Sequence, residues 1–264
     1  MQIAGYIASL MIGLSLGMIG GGGSILTVPV LVYLFGISPM LATSYSLVIV
    51  GVVSLMGFIN HYRRKLVDIH AGMLFGVTSV VTVLLTRHFL IPHLPEILFY
   101  IKSRPVPTGM FMMILFALLM IAAAIAMLTG NKKAHQQTEL KHTSFKKLLF
   151  YGGLVGFITG LLGAGGGFLL IPALMLFAKL SLKRAAGTSL MIITFNSATG
   201  ILADPSIQSF NWFFLAGIVV MALAGLAIGL MMSKRIGAQQ LKTAFGIVVL
   251  VLGLSVLITE LIKL

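Results

Sequence analysis

The sequence predicts an all-α integral membrane protein that consists of two homologous repeats. Apolar residues make up 59% of the 264 residues and charged residues only 9%, whereas a soluble domain carries roughly 25% charged residues. That leaves too little polar surface to cover a core in water. A bilayer removes the requirement, because surface that faces lipid should be apolar. We therefore expect the chain to lie within a lipid bilayer.

The positive charge of the chain lies between its apolar runs. A net charge of +13 would suggest a nucleic-acid partner in a soluble protein. Here the basic residues cluster at the ends of apolar runs, as in Arg63–Lys65, Lys183–Arg184 and Lys234–Arg235. This placement is typical of cytoplasmic loops under the positive-inside rule. We therefore predict contact with lipid and no nucleic-acid partner.

Six apolar runs are long enough to cross a membrane as helices, which takes about 20 residues. They are Met40–Ile59, Ile69–Thr86, Thr108–Leu128, Ala185–Ala203, Phe210–Met232 and Leu241–Ile262. Two further regions are interrupted by glycines. In the first, Ile3–Ile19 precedes Gly20–Gly23 and the short run Ile25–Phe35; in the second, Leu148–Leu162 precedes Gly163–Gly167 and the short run Phe168–Ala178. We call Gly20–Gly23 the first break and Gly163–Gly167 the second break.

The two halves of the chain repeat each other. A shift of 143 residues without a gap pairs Gly13 with Gly156, Gly17 with Gly160, Gly20 with Gly163, Pro29 with Pro172 and Ser46 with Ser189. Apolar residues match by chance in a membrane protein, but Gly, Pro and Ser in register indicate internal duplication. The predicted organisation is repeat 1 at residues 1–130, a polar cytoplasmic linker at 131–147 and repeat 2 at 148–264, all within one transmembrane domain.

The charges of the connections favour inverted over parallel repeats. If each break interrupts a single crossing, the repeats are parallel, and the basic loop Asn60–Val67 shares a side with the acidic loop Asp204–Ser209. If each break instead turns a helical hairpin, each repeat adds three crossings, and the repeats are inverted. Basic connections then lie inside and both termini outside. The one exception is Arg87–Pro107, which would be an external loop although it carries three positive charges. Charge does not separate a re-entrant hairpin from two full crossings.

The breaks are the predicted binding site. A helix that breaks inside a membrane leaves unpaired backbone groups, which are tolerated only in protein or beside a wet cavity, and inverted repeats with broken helices indicate a site at the midplane. Helices that restart near the end of each break would direct free N–H groups and a positive dipole end at an anion. The predicted backbone site comprises Gly20, Gly21, Gly22, Gly23, Ser24, Gly163, Gly165, Gly166 and Gly167. Close helix packing is the alternative role, and we assign it to the Gly13/Gly17 and Gly156/Gly160 spacings.

Polar side chains follow each break. Thr43, Ser44, Thr188 and Ser189 lie near the start of a long helix, where they either bond to the preceding turn or donate to the oxygens of an anion. Asn196 lies at bilayer depth and serves either helix–helix contact or substrate binding. These five residues complete the predicted substrate-binding set.

Residue types that are scarce exclude several functions. The chain has no cysteine for a thiolate metal site, and only five acidic residues. None of these acids is central to a predicted crossing, which argues against coupling to protons or sodium through a buried carboxylate. No Ser-His-Asp set or HExxH pattern occurs. We therefore predict neither enzymatic activity nor a cofactor or metal.

Two segments carry a family resemblance. They are Gly17-Met-Ile-Gly-Gly-Gly-Gly-Ser-Ile-Leu-Thr-Val-Pro29 and Gly160-Leu-Leu-Gly-Ala-Gly-Gly-Gly-Phe-Leu-Leu-Ile-Pro172. With these segments and its duplication, the chain resembles, over essentially its whole length, the TauE/SafE family of sulfite and organosulfonate exporters. The first copy has Ser24 where the second has Gly167, a departure that bears on the substrate more than on the fold.

The resemblance implies transport of a small sulfur-containing anion such as sulfite or a sulfonate. We therefore expect a secondary transporter in the inner membrane that exports this anion. An anion channel and a non-transporting membrane scaffold are the alternatives. A homo-oligomer is compatible with the sequence.

Overall fold

A computed structural model describes residues 2–101, 104–129, 145–163, 167–233 and 238–263. Within these residues, six helices are long and apolar enough to cross a membrane. They span Pro39–Arg63, Ile69–His93, Thr108–Thr129, Leu182–Leu202, Trp212–Met232 and Thr243–Ile262. Each coincides with one of the six predicted crossings. The prediction of a helical, multi-pass integral membrane protein is confirmed.

The first half begins with a helical hairpin. Helix α1 (Gln2–Ile19) leads into a 3-10 helix at Gly21–Leu26, and the short helix α2 (Thr27–Tyr33) follows. The aromatic rings of Tyr6 and Phe35 lie 5.7 Å apart, so the chain after α2 returns to the start of α1. The first break therefore reverses the chain.

Three long helices complete the first half. Helix α3 (Pro39–Arg63) begins with its proline, a residue that suits the first helical turn because its missing N–H needs no partner there. Helix α4 (Ile69–Leu85) continues through a π-helical turn at Thr86–Leu90 and a 3-10 turn that ends at His93. Helix α5 covers Thr108–Thr129.

The connection between α4 and α5 contains a β-hairpin. Strand β1 (Ile97–Ile101) pairs antiparallel with β2 (Arg104–Pro107). Its sequence Ile-Leu-Phe-Tyr-Ile is rich in the β-branched and aromatic residues that favour strands. This two-stranded hairpin lies in a connection and leaves the all-α class of the membrane-spanning part unchanged. The predicted loop Arg87–Pro107 also contains regular structure. It begins with the π-helical and 3-10 turns that extend α4 to His93, and it ends with the two strands.

The second half has the same order of helices. They are α6 (Phe145–Leu162), α7 (Gly167–Phe177), α8 (Leu182–Leu202), α9 (Trp212–Met232) and α10 (Ala238–Ile262), with a 3-10 turn at Pro205–Ser209 between α8 and α9. Tyr151 in α6 stacks on Phe177 at the end of α7, with ring centroids 3.8 Å apart. The second break therefore also joins the arms of a hairpin. Helix α6 starts at Phe145, so the last residues of the predicted linker 131–147 are helical; positions 131–144 lie outside the described residues.

Parallel helix pairs connect the halves. Helix α1 packs along α9, and α6 packs along α4. A Cβ atom on Gly13 would overlap the backbone of Ala222, and one on Gly156 would overlap that of Ser79. These glycines, with Gly17 and Gly160, have the predicted role of close helix packing. The 143-residue shift interchanges the Gly13 and Gly156 contacts.

Helices α3 and α8 form an antiparallel pair. Helix α3 packs against α8, where Gly51 contacts Ser197 and Gly57 contacts Leu190. As the residue number rises along α3 it falls along α8, so the two helices run in opposite directions. Helices α5 and α10 also pack together.

Candidate functional site

The two breaks lie against each other inside the protein. A Cβ atom on Gly167 would overlap the carbonyl group of Gly21, and one on Gly21 would stand 2.9 Å from the Cα atom of Gly167. Both glycines are buried. The interrupted backbone is therefore enclosed by protein at this contact, as non-helical backbone at membrane depth must be unless it lines a cavity.

The first residue of each break has a left-handed backbone. The φ angle is 82° at Gly20 and 67° at Gly163, a region that glycine adopts without steric cost. Gly20 packs against Ala186, and Gly163 packs against the backbone of Thr43. Thr43 and Ala186 correspond under the 143-residue shift. Helices α3 and α8 therefore each cover the break of the other half.

Two corresponding serines hold the breaks in place. The Ser46 hydroxyl donates a hydrogen bond of 2.6 Å to the carbonyl oxygen of Gly163. The Ser189 hydroxyl accepts a hydrogen bond of 3.3 Å from the N–H of Gly21 and donates one of 2.8 Å to the carbonyl oxygen of Ala186. Ser189 was in the predicted set and Ser46 was not. The register that pairs Ser46 with Ser189 was the signal that could have found it.

The first break offers fewer free backbone donors than predicted. The N–H of Gly20 donates to Leu16 at 2.8 Å, and the N–H of Gly23 donates to Gly20 at 3.3 Å. The N–H of Gly21 is taken by Ser189. Gly22 lies in the same 3-10 helix, the tighter form that short helical segments adopt. The first break is therefore a short 3-10 helix and not an open loop, and the N–H groups of Gly20, Gly21 and Gly23 already have acceptors.

The helix that follows the first break begins with 3-10 turns. Helix α2 starts at Thr27, whereas Ser24 lies buried in the 3-10 helix, and its hydroxyl donates to the carbonyl oxygen of Gly21 at 2.9 Å. A helix therefore restarts near the end of the first break, but its first turns are 3-10 and not α. The expected start of α7 at Gly167 is confirmed, whereas Gly165 and Gly166 lie outside the described residues.

Two predicted hydroxyls bond to the backbone. Thr43 donates to the carbonyl oxygen of Met40 at 2.7 Å, the preceding-turn role that was its alternative. Thr188 accepts a hydrogen bond of 2.9 Å from the N–H of Asp68, the residue that caps α4. The corresponding bond of the other half joins the N–H of Asn211 to Tyr45 at 3.0 Å.

Asn196 connects two helices. Its Nδ2 atom donates to the hydroxyl of Ser79 on α4 at 2.6 Å, so its helix-contact role is present. Its Oδ1 atom is buried without a hydrogen-bond partner among the described residues. One side of this amide is therefore open to a further donor.

A buried ion pair joins the two halves. Nη1 of Arg87 lies 2.8 Å from Oδ2 of Asp204, and both side chains are 1% exposed. The same nitrogen donates to the hydroxyl of Ser44 at 3.2 Å. Both residues were expected to be loop charges. The structure instead places Arg87 in the π-helical turn that continues α4, and it buries Asp204 within the α8–α9 connection, because each buried charge requires the other. No local pattern indicates a partner that is so distant in sequence.

The ion pair lies beside the second break. Thr86, which precedes Arg87, packs against Gly160, and Thr43, which precedes Ser44, packs against Gly163. Under the 143-residue shift, Leu230 takes the place of Arg87. A buried positive charge therefore accompanies the second break, whereas the corresponding position beside the first break is apolar.

Residues 6–256 match the family model described as Sulfite exporter TauE/SafE. The chain belongs to the TauE/SafE family. This confirms the family that the two glycine–proline segments indicated. In this TauE/SafE protein, the breaks, the two serines and the ion pair together form the candidate site.

Several relatives match the TauE/SafE chain over nearly its whole length, and each is named a probable membrane transporter protein. One from Xylella fastidiosa (strain Temecula1) is 28% identical, with 94% of this chain and 91% of the relative covered. YunE from Bacillus subtilis is 26% identical, with 95% and 92% covered. One from Methanocaldococcus jannaschii is 24% identical, with 96% and 94% covered. No solved structure matches the chain significantly.

Proposed function

We propose that this chain is a secondary transporter that exports a small anion of the sulfite or sulfonate class across the inner membrane. The observation that carries the proposal is the buried contact between Gly21 and Gly167, where two interrupted helices meet. Broken helices at membrane depth are the usual place for a transporter to bind its substrate. The family model and the names of the relatives support the same class of function.

The proposed architecture is a pair of inverted repeats, at residues 1–130 and 148–264. Helices α3 and α8 correspond under the 143-residue shift and run antiparallel. A twofold axis that exchanges two antiparallel helices is perpendicular to both of them. Because both helices cross the membrane, this axis lies in the membrane plane, which is the arrangement of inverted repeats. The hairpin form of each break gives three crossings per repeat, in agreement with basic connections inside. Both termini are then external, and the linker 131–147 is cytoplasmic.

The anion would bind beside the closed Gly21–Gly167 contact, between Gly20–Ser24 and Gly163–Gly167, once the two breaks separate. The first turn of α7 offers the positive end of a helix of 11 residues. Three buried polar side chains are available nearby: Ser189 bonds to Gly21, Ser44 follows the residue that contacts Gly163, and Asn196 lies two turns further along α8 than Ser189. Rocking of one repeat against the other would expose the site to each side in turn.

Export of such an anion requires no coupling ion. An inside-negative membrane potential drives a single negative charge outward by about 2.3 kcal/mol per 100 mV. The ion pair of Asp204 with Arg87 leaves this acid without a free charge for sodium. The transporter is therefore expected to be electrogenic and to catalyse no chemical reaction.

The test is flux of ³⁵S-labelled sulfite from proteoliposomes that contain the purified full-length protein. The proposal predicts saturable efflux that an inside-negative potential accelerates, without a sodium or pH gradient. Protein-free liposomes give the background rate. Efflux at the background rate for sulfite and for methanesulfonate would contradict the proposed function, a strict sodium or proton requirement would contradict uncoupled export, and single-channel currents would indicate a channel.

A further inference from the structure

We propose that Arg87 binds the transported anion directly, through the edge of its guanidinium group that carries Nε and Nη2. The inference rests on the proposed function and deepens it. It assigns the positive charge of the site, and it restricts the substrate to anions that present two oxygens side by side.

Arg87 uses only one of its three guanidinium nitrogens within the described part of the chain. Nη1 donates to both Asp204 and Ser44. Nε and Nη2 are fully buried and have no hydrogen-bond partner there. Nε carries one N–H group and Nη2 carries two. Buried donors of this kind are costly to leave unpaired, so an acceptor is expected beside them.

Asp204 is not free to supply that acceptor. Its Oδ2 atom meets Nη1 of Arg87 at 2.8 Å, and its Oδ1 atom accepts a hydrogen bond of 2.9 Å from the N–H of Ser206. The carboxylate therefore caps the 3-10 turn at Pro205–Ser209 with one oxygen and meets the guanidinium end-on with the other. This pairing uses a single nitrogen of Arg87 and leaves its Nε–Nη2 edge unoccupied within the described residues.

The free edge has the geometry of an oxyanion receptor. The N–H groups of Nε and Nη2 point in the same direction in the guanidinium plane, so they bind two oxygens of one carboxylate, sulfite or sulfonate group. A chloride ion presents a single centre and gains less from this fork. The edge therefore favours oxyanions over halides.

The position of Arg87 fits a substrate at the breaks. The residues directly before Arg87 and Ser44 touch Gly160 and Gly163. The guanidinium donates to Ser44, which directly follows the residue whose backbone contacts Gly163, the first residue of the second break. Arg87 is thereby linked to the second break through a single intervening side chain.

The test compares anion affinity in the full-length protein in detergent, from thermal unfolding with sulfite, methanesulfonate or chloride at constant ionic strength. Arg87→Lys keeps the charge beside Asp204 but loses the fork, and we expect it to weaken sulfite binding by about tenfold or more. Asp204→Asn keeps the free edge and removes the competing negative charge. It should therefore bind sulfite more tightly than the wild type.

The outcomes separate the role of Arg87 from the proposed function. Wild-type affinity for sulfite in Arg87→Lys would overturn the inference and indicate that the edge holds only buried water. If Arg87→Lys does not fold, sulfite binding by Asp204→Asn that is no tighter than binding by the wild type overturns it as well. A wild type that responds to neither oxyanion and carries no sulfite would overturn the proposed function itself. Wild-type flux that Arg87→Lys retains in full would overturn only the role of Arg87.

Discussion

A methyl group on Gly167 would overlap the carbonyl group of Gly21. The two residues belong to different breaks, so the halves of the protein fit together at the level of the backbone where their helices are interrupted. There is no space for a side chain at this contact. Glycine is required here because of the close approach, and this requirement can be tested separately from transport.

Gly167→Ala should destabilise the protein by about 1–3 kcal/mol, because an added methyl group in a packed interior forces the backbone apart. Thermal unfolding of the purified variant in detergent measures the loss. Gly153→Ala is the matched control, since the nearest side-chain atom, on Thr82, would be 3.9 Å from the new methyl. The control should be neutral or slightly stabilising, because alanine is the better helix former. Equal unfolding temperatures for the two variants would show that the backbone contact is absent.

Gly20→Ala and Gly163→Ala should both lower stability. Each places a Cβ atom on a backbone of positive φ, 82° and 67°, which costs about 1–3 kcal/mol, and each also meets Ala186 or Thr43. Gly36→Ala provides the control, because its φ is 69° but no atom lies within 4 Å of the new methyl. The two break variants should unfold at lower temperature than Gly36→Ala. Three equal losses would mean that the breaks are loosely packed.

Asp204→Ala should destabilise the protein strongly, by about 3–5 kcal/mol, since it leaves the charge of Arg87 buried and unpaired. Lys263→Ala is the control. Its ammonium also lies 2.7 Å from a carboxylate, that of Glu260, but the Lys263 side chain is 54% exposed. The loss should be small, because Glu260 keeps its hydrogen bond from the Tyr33 hydroxyl when the lysine is removed. Denaturant unfolding in mixed micelles compares the two. A small loss for Asp204→Ala would contradict burial of the pair.

Inverted repeats predict opposite sides for corresponding connections. The chain has no native cysteine, so single cysteines can be introduced without further change. Arg64→Cys lies in the exposed α3–α4 connection and Gln208→Cys in the exposed α8–α9 connection. A membrane-impermeant maleimide applied to intact cells should label position 208, and should reach position 64 only after permeabilisation. Labelling of both from one side would contradict inversion.

Composition and glycine spacing were sufficient to predict the framework of the fold. The six crossings follow from apolar length, because a bilayer imposes that length on every crossing helix. The breaks follow from consecutive glycines. From the sequence, the hairpin form of the first break could be inferred only from the charges of the loops. The contact between Tyr6 and Phe35 shows directly that the chain turns back at this break.

The polar part of the site was less predictable. Arg87 and Asp204 each resembled a loop charge, and their pairing depends on how α4 and α8 pack. Thr43 and Ser46 look alike in sequence, yet only the Ser46 hydroxyl donates to the second break. Which hydroxyl of a helix faces a neighbour depends on the rotation of the helix. This rotation is set by tertiary packing and not by local pattern.

Sulfite flux through proteoliposomes of the wild type, Gly163→Ala and Gly153→Ala, each assayed below its unfolding temperature, tests the central claim most directly. If an anion crosses where the two breaks meet, the wild type and Gly153→Ala carry sulfite with saturable rates, and Gly163→Ala falls close to the rate of protein-free liposomes. Saturable flux in Gly163→Ala equal to that of the wild type would contradict a transport site at the breaks.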